Sequence, residues 1–204
     1  MKLKICGMKY ADNIREVAKL SPDFMGFIFY SKSKRFVGND FIMPEISSSI
    51  KKVGVFVNDS AENILEEVNK HKLDFVQLHG DERAEFCKDL CMSVKIIKAF
   101  SVDESFDFSF PNAYKNYCEY FLFDTKTNEY GGSGKTFNRN ILMNYKSSKP
   151  YFLSGGIDIN EILTPNTQYP IPFAIDVNSK FEIESGLKDI NKIKLLKNDL
   201  SSQP

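Results

Sequence analysis

At 204 residues, with 42% of them hydrophobic, the chain is long enough to build a sizeable core in one domain of ordinary size or in two small ones. Its 27 basic and 27 acidic residues cancel, which argues against a dedicated nucleic-acid or membrane-surface protein, since such proteins usually carry a basic excess. No stretch reaches the roughly 18 consecutive apolar residues of a membrane span. The opening Met1 to Gly7 lacks the apolar region of a signal peptide, so a cytoplasmic location is expected.

Short apolar runs alternate with amphipathic stretches along the chain. Leu3–Cys6 is the first run, and Ala11, Ile14, Val17 and Ala18 make the first helical stripe. Phe24–Phe29 follows, with a weaker helical pattern near 39–48. Lys52–Val57 leads to a stripe of Ala61, Ile64, Leu65 and Val68, with Ser60 placed to cap it. Phe75–Leu78 and Val94–Ala99 come next. The stretch from Ser101 to Tyr117 is Phe-rich and irregular, so its helix is placed only roughly. Tyr120–Phe123, Tyr151–Ser154 and Phe173–Val177 complete the runs. Weak helical patterns lie near 137–145 and 157–164, and Ile190, Ile193, Leu196 and Leu200 form the last stripe. Runs that are apolar on both faces fit strands of a parallel sheet. Eight of them, alternating with helices, predict a single-domain α/β chain over residues 1–204 folded as a (β/α)₈ TIM barrel. The alternative is a doubly wound open sheet, but no GxGxxG follows the first strand. No linker, low-complexity tract or repeat divides the chain.

The four cysteines, Cys6, Cys87, Cys91 and Cys118, form no pair of CxxC motifs, and there are only two histidines. A structural zinc site and a disulfide framework are both poor fits. Cys87 and Cys91 read as small buried hydrophobes, and His71 reads as a surface residue of a helix. A barrel of this kind places its active site at the C-terminal ends of the strands. The residues there are Cys6-Gly7, Tyr30 to Arg35, Asn58, His79-Gly80, Phe100, Asp124-Thr125, Gly155-Gly156 and Asp176 to Lys180. This set is polar and glycine-rich compared with the strands that carry it.

These residues carry a resemblance. Lys4 to Met8, Gly26 to Arg35, Val53 to Asn58, Val76 to Gly80, Phe123 to Lys126, Gly131 to Gly134 and Leu153 to Ile157 follow, in order and spacing, the motifs of the phosphoribosylanthranilate isomerases of tryptophan biosynthesis. The resemblance runs from about Lys4 to Asp189. It implies an Amadori rearrangement of an aminoaldose phosphate to an aminoketose phosphate, with no metal and no organic cofactor. An acid protonates the furanose ring oxygen, and a base then removes the proton from C2. By resemblance the acid is Asp124 and the base Cys6. A thiol titrates near about 8.5, so Cys6 needs nearby positive charge, for example Arg35 or a helix N-terminus. Asp124 needs its pKa raised to act as an acid.

The resemblance further places Arg35 on the anthranilate carboxylate, where a guanidinium fork suits a planar group. His79 either contacts the anthranilate or closes the fourth strand structurally. Asp176 either touches a sugar hydroxyl or the amine, or is structural. The phosphate is expected on backbone N–H groups at Gly155 and Gly156, with Ser179 and Lys180 opposite. Gly132 and Gly134 are expected to shape the mouth as a lid. The family pattern Asp-Val-Ser-Ser-Gly-Val-Glu is here Asp176 to Glu182, with Asn178 for a serine and Lys180 for a glycine; a positive φ would be costly for Lys180. Phe137-Asn138-Arg139 replaces the family's Phe-Asp-Trp. The expected partner is a small phosphosugar, with no nucleic acid and no membrane, on a monomer or homodimer. Two other readings compete. One is a histidine-pathway aminoaldose isomerase, which has an aspartate where Cys6 stands. The other is a barrel that binds a phosphosugar without turning it over.

Overall fold

A strand that is apolar on both faces must be covered on both. Phe24-Met25-Gly26-Phe27-Ile28 and Phe75-Val76-Gln77-Leu78 are buried at every position. The chain covers such strands by closing the sheet on itself and packing helices and loops outside it. The structure is a computed structural model and describes residues 1–126, 138–157 and 169–201. Eight parallel strands close in sequence order: β1 (Lys2–Ile5), β2 (Phe24–Ile28), β3 (Lys51–Phe56), β4 (Phe75–Leu78), β5 (Lys95–Val102), β6 (Tyr120–Thr125), β7 (Tyr151–Leu153) and β8 (Ala174–Val177). β1 pairs with β2 on one side and β8 on the other, and the second register sets Lys4 beside Asp176. The (β/α)₈ barrel expected from the sequence is the fold. Strand ends fall within two residues of the expected ones, except that β5 runs on to Val102.

The four described α-helices are α1 (Ala11–Lys19), α2 (Ala61–His71), α3 (Ala84–Leu90) and α4 (Ile190–Ser201). Ile14 and Val17 of α1 and Ile193 and Leu196 of α4 are buried, as the stripes require. The Ser60 side chain caps α2 by accepting from the Asn63 N–H at 3.1 Å. Between β8 and α4 the chain makes a short 3₁₀ turn, Ser179–Phe181, and an antiparallel hairpin of β9 (Glu182–Glu184) and β10 (Leu187–Lys188).

Three expectations need correction. Residues 39–48 form no helix, because Pro44 removes a helical N–H donor and Gly38, at φ +99°, turns the chain. The segment instead drapes over the outside of β2, with the Phe41 ring 5.9 Å from Phe27. Among their described residues the Phe-rich stretch and the 137–145 segment contain no α-helix but 3₁₀ turns, Phe110–Tyr114 and Arg139–Asn144. The third correction is His71, which is buried rather than on the surface. Its ring packs 5.4 Å from both Phe29 and Phe41, which the β2–β3 connection folds over the end of α2. Burial lowers its pKa. The 157–164 pattern lies outside the described residues beyond Ile157.

Period-two alternation sends every second strand residue inward. Phe24, Val53, Phe75, Ile97, Ala99, Leu122, Phe152 and Ala174 fill the lower interior as one cluster. The next inward residues along β2, β4 and β8 are Gly26, Gln77 and Asp176, and Lys4 lies level with Asp176 on β1. Cys6, Ile28 and Val55 cluster above them. The interior therefore turns polar toward the C-terminal ends of the strands, where a barrel of this type carries its chemistry.

Candidate active site

Cys6 directly follows β1 and is 4% exposed. Lys4, two residues back, shares its inward face and is fully buried. The Lys4 ammonium donates to Asp176 Oδ1 at 2.9 Å. Gly26, the neighbour on β2, makes room for both groups: a Cβ there would sit 2.8 Å from Cys6 Sγ and 3.3 Å from Lys4 Nζ. Burial pushes the Cys6 thiol above its ordinary pKa and Asp176 pushes the same way, while Lys4 and Lys188 pull it down. Burial also works against the Lys4 ammonium, but Asp176 and Cys6 outweigh it and hold its pKa above the usual lysine value. Asp176 is pushed up by burial and drawn back by Lys4.

Asp124 lies near the end of β6 and its side chain is 17% exposed. Its Oδ1 accepts from the Thr125 N–H at 2.8 Å, and its Oδ2 lies 3.4 Å from His79 Nε2. The other ring nitrogen of His79 faces Gln77 Nε2 at 2.7 Å. In the tautomer with its proton on Nε2, Nδ1 accepts from the Gln77 amide and the Nε2–H faces Asp124. The loop carrying His79 and Gly80 is pinned by a buried pair. Glu82 accepts from the Asn58 N–H at 2.8 Å and the Gly80 N–H at 3.0 Å, and Lys98 donates to Glu82 at 3.1 Å and to the Gly80 carbonyl at 2.8 Å.

Arg35, in the connection after β2, reaches the mouth beside Gly7; a Cβ on Gly7 would fall 2.7 Å from its Cδ. Its Nε and Nη2 donate to Glu182 at 2.9 and 2.7 Å. Lys188 donates to the same carboxylate at 2.6 Å and to Asn178 Oδ1 at 2.7 Å. Burial works against the Glu182 carboxylate, but Arg35 and Lys188 outweigh it and hold its pKa below the usual value. Burial lowers Lys188 to about 8 despite Glu182. The cations that pull the Cys6 titration down most are Lys4 and Lys188, while Arg35 pairs with Glu182.

Gly155 and Gly156 follow β7 with φ of +87° and +59°, so both occupy the left-handed region. A Cβ on Gly155 would come within 2.2 Å of Thr125 Oγ1 and 2.8 Å of its amide nitrogen. Ser179 and Lys180 follow β8, the next strand of the ring, and form the 3₁₀ turn. Lys180 is absent from the residues with positive φ, so the substitution of a glycine by lysine carries no backbone penalty in this turn. Gly132 and Gly134 lie outside the described residues.

The strand ends thus bring together Cys6, Asp124, His79, Asp176 and Arg35, as expected. Reading the sequence missed Lys4, Gln77, Glu182 and Lys188 as members of the same network. Lys4 and Gln77 had a legible signal: each stands two residues before a site residue on the same strand face. Glu182 and Lys188 had none, because a hairpin folding back over the mouth brings them in.

The model of the N-(5′-phosphoribosyl)anthranilate isomerase family matches residues 3–199. An N-(5′-phosphoribosyl)anthranilate isomerase of Parabacteroides distasonis is 46% identical over 200 residues, covering 95% of this chain and 90% of the relative. The crystal structure of phosphoribosyl anthranilate isomerase from Thermotoga maritima superposes with a TM-score of 0.86 at 32% identity, covering all of both chains. A phosphoribosyl anthranilate isomerase solved in complex with reduced 1-(o-carboxyphenylamino)-1-deoxyribulose 5-phosphate superposes at 0.81, with 28% identity and complete coverage of both chains. With the family model spanning nearly its whole length and a barrel of the same form, the chain belongs to the N-(5′-phosphoribosyl)anthranilate isomerase family.

Proposed function

We propose that Cys6 and Asp124 carry out the reaction this chain catalyses as a member of its family, the isomerisation of N-(5′-phosphoribosyl)anthranilate in tryptophan biosynthesis. The observation that carries this assignment is their position at the ends of β1 and β6 around one mouth, with His79 Nε2 3.4 Å from Asp124 and the Lys4 ammonium beside Cys6. Asp124 protonates the furanose ring oxygen, and the ring opens to an iminium sugar. The His79 N–H steadies the carboxylate that remains. Cys6, as thiolate, removes the C2 proton, and the resulting enol relaxes to the aminoketose. A proton leaves Asp124 in the first step and one arrives on Cys6 in the second.

The phosphate is held by backbone N–H groups at Gly155 and Gly156, with Ser179 and Lys180 opposite. The two glycines' φ values support this, since they let bare backbone approach an anion. Gly134 belongs to this proposal by resemblance alone. Arg35 meets the anthranilate carboxylate with Nη1, because Glu182 engages Nε and Nη2. Asp176 contacts substrate through a sugar hydroxyl or the amine, while its Oδ1 holds Lys4. The protein works as one barrel domain over 1–204, in the cytoplasm, as a monomer or homodimer. Among the described residues no helix is long and apolar enough to cross a membrane.

The test follows the fluorescence of phosphoribosylanthranilate as it is consumed, with Cys6→Ser and Asp124→Asn as controls. Turnover by the wild type and loss of about two to four orders of magnitude in either variant is the expected result. No turnover by concentrated wild type refutes the assignment. Near-full activity in Cys6→Ser refutes the base role alone.

A further inference from the structure

The proposed mechanism requires a thiol to act as a base from a position only 4% exposed. Burial disfavours a thiolate, so an unassisted Cys6 would hold its proton too tightly to accept one from carbon near neutral pH. We propose that Lys4 is the positioning residue that makes Cys6 ionisable: its ammonium, clamped by Asp176, hydrogen-bonds the sulfur from two residues back along β1.

Three observations support this. Lys4 is fully buried inside the barrel, an expensive place for an ammonium unless its donors are used. The β1–β8 register sets it level with Asp176, whose carboxylate receives it at 2.9 Å. Its Nζ and Cys6 Sγ both face the point where Gly26 has no side chain, at 3.3 and 2.8 Å from it. The glycine leaves the ammonium and the sulfur in one shared space. Asp176 thereby gains a second role, since it fixes the ammonium that fixes the thiolate.

Other charges face Cys6. Lys188 on β10 pulls its titration the same way but is tied to Glu182 and Asn178. Arg35 is tied to Glu182. Asp176 on β8 opposes them, and Asp124 and His79 lie on β6 and after β4. Lys4 is the cation that shares with the sulfur the space left by Gly26, and it pulls the titration down more than Lys188 does. The protons balance. Before C2 is deprotonated the sulfur is anionic, Lys4 is an ammonium and Asp176 a carboxylate. Afterwards the sulfur carries the substrate's proton, while Lys4 keeps its own.

The role of Cys6 as base rests on the function proposed above, so the test reads the sulfur directly. Thiolate ultraviolet absorbance is titrated in the wild type, Lys4→Met, Lys4→Arg and the double variant Lys4→Met/Asp176→Asn. Each titration is corrected by the same background carrying Cys6→Ser to remove Cys87, Cys91 and Cys118. The double variant leaves no unpaired buried charge, which keeps the proposal testable if Lys4→Met alone fails to fold.

Lys4→Met should raise the Cys6 midpoint by about one pH unit or more. The double variant should also stay above the wild type, and Lys4→Arg should restore most of the difference. The alkaline-rising limb of kcat should move with the midpoint, while KM changes little. A Cys6 midpoint in the folded double variant that matches or falls below the wild type overturns the proposal, whatever the activity. A raised midpoint in a wild-type background that turns over no substrate supports the Lys4–Cys6 coupling and counts only against the isomerase assignment.

Discussion

Lys188 offers a sharp test of the charge network, because its burial has a calculable pH signature. The side chain is 1% exposed, and burial takes it from 10.5 to about 8 even with Glu182 at 2.6 Å. A cation whose folded pKa is lowered weakens the fold while the unfolded chain binds its proton more tightly. Stability from this group is therefore lowest below pH 8 and rises as pH climbs from 8 toward 10.5. At 1.36 kcal/mol per unit the full span is about 3 kcal/mol, of which roughly 2 to 3 falls between pH 7 and 10.

Lys188→Met removes the titration, while Glu182 keeps Arg35 and the Gly186 N–H. Urea unfolding followed by far-ultraviolet circular dichroism at several pH values gives both stability curves. The difference between them cancels the tyrosines and the cysteines other than Cys6, which titrate in the same range but do not act on Lys188. Repeating both curves on a Cys6→Ser background removes Cys6. Wild type should gain about 2 to 3 kcal/mol on the variant from pH 7 to 10. A difference that stays flat, or slopes the other way, would show that Lys188 is not held near 8 and would remove it from the groups acting on Cys6.

Two other substitutions separate site from scaffold. Gly26→Ala puts a methyl 2.8 Å from the Cys6 sulfur and 3.2 Å from its Cα, so sulfur and strand must shift. Overpacking of this kind costs about 1 to 3 kcal/mol, and misplacing the base should cut kcat about tenfold or more; unchanged kinetics would mean that the close packing around Cys6 is not needed. Ser60→Ala removes the α2 cap and should cost about 1 kcal/mol in urea unfolding. The same variant should leave kcat and KM at wild-type values, because the Ser60 side chain is exposed and its hydrogen bond goes to the Asn63 N–H at the start of α2.

Much of this molecule was legible along the chain. Eight apolar runs declared eight strands, because residues buried on both faces must be apolar on both. The polar and glycine residues that end those runs named Cys6, His79, Asp124, Gly155, Gly156 and Asp176, because a barrel closed in sequence order collects its strand ends at one mouth. Local periodicity failed where contacts between distant segments outweigh it. Residues 39–48 carry enough apolar side chains to suggest a helix, yet Pro44 and the packing of Phe41 against Phe27 hold them in another path. His71 looked like a surface residue until the β2–β3 connection laid Phe29 and Phe41 over it.

What the tertiary structure alone decided is which charge meets which. Lys4 and Asp176 stand 172 positions apart and become neighbours only when β8 closes against β1. Arg35 and Glu182, 147 apart, meet only because the β9–β10 hairpin folds back over the mouth. An ion pair depends on distance in space and on the water that has been excluded, and a linear sequence encodes neither until the barrel is closed.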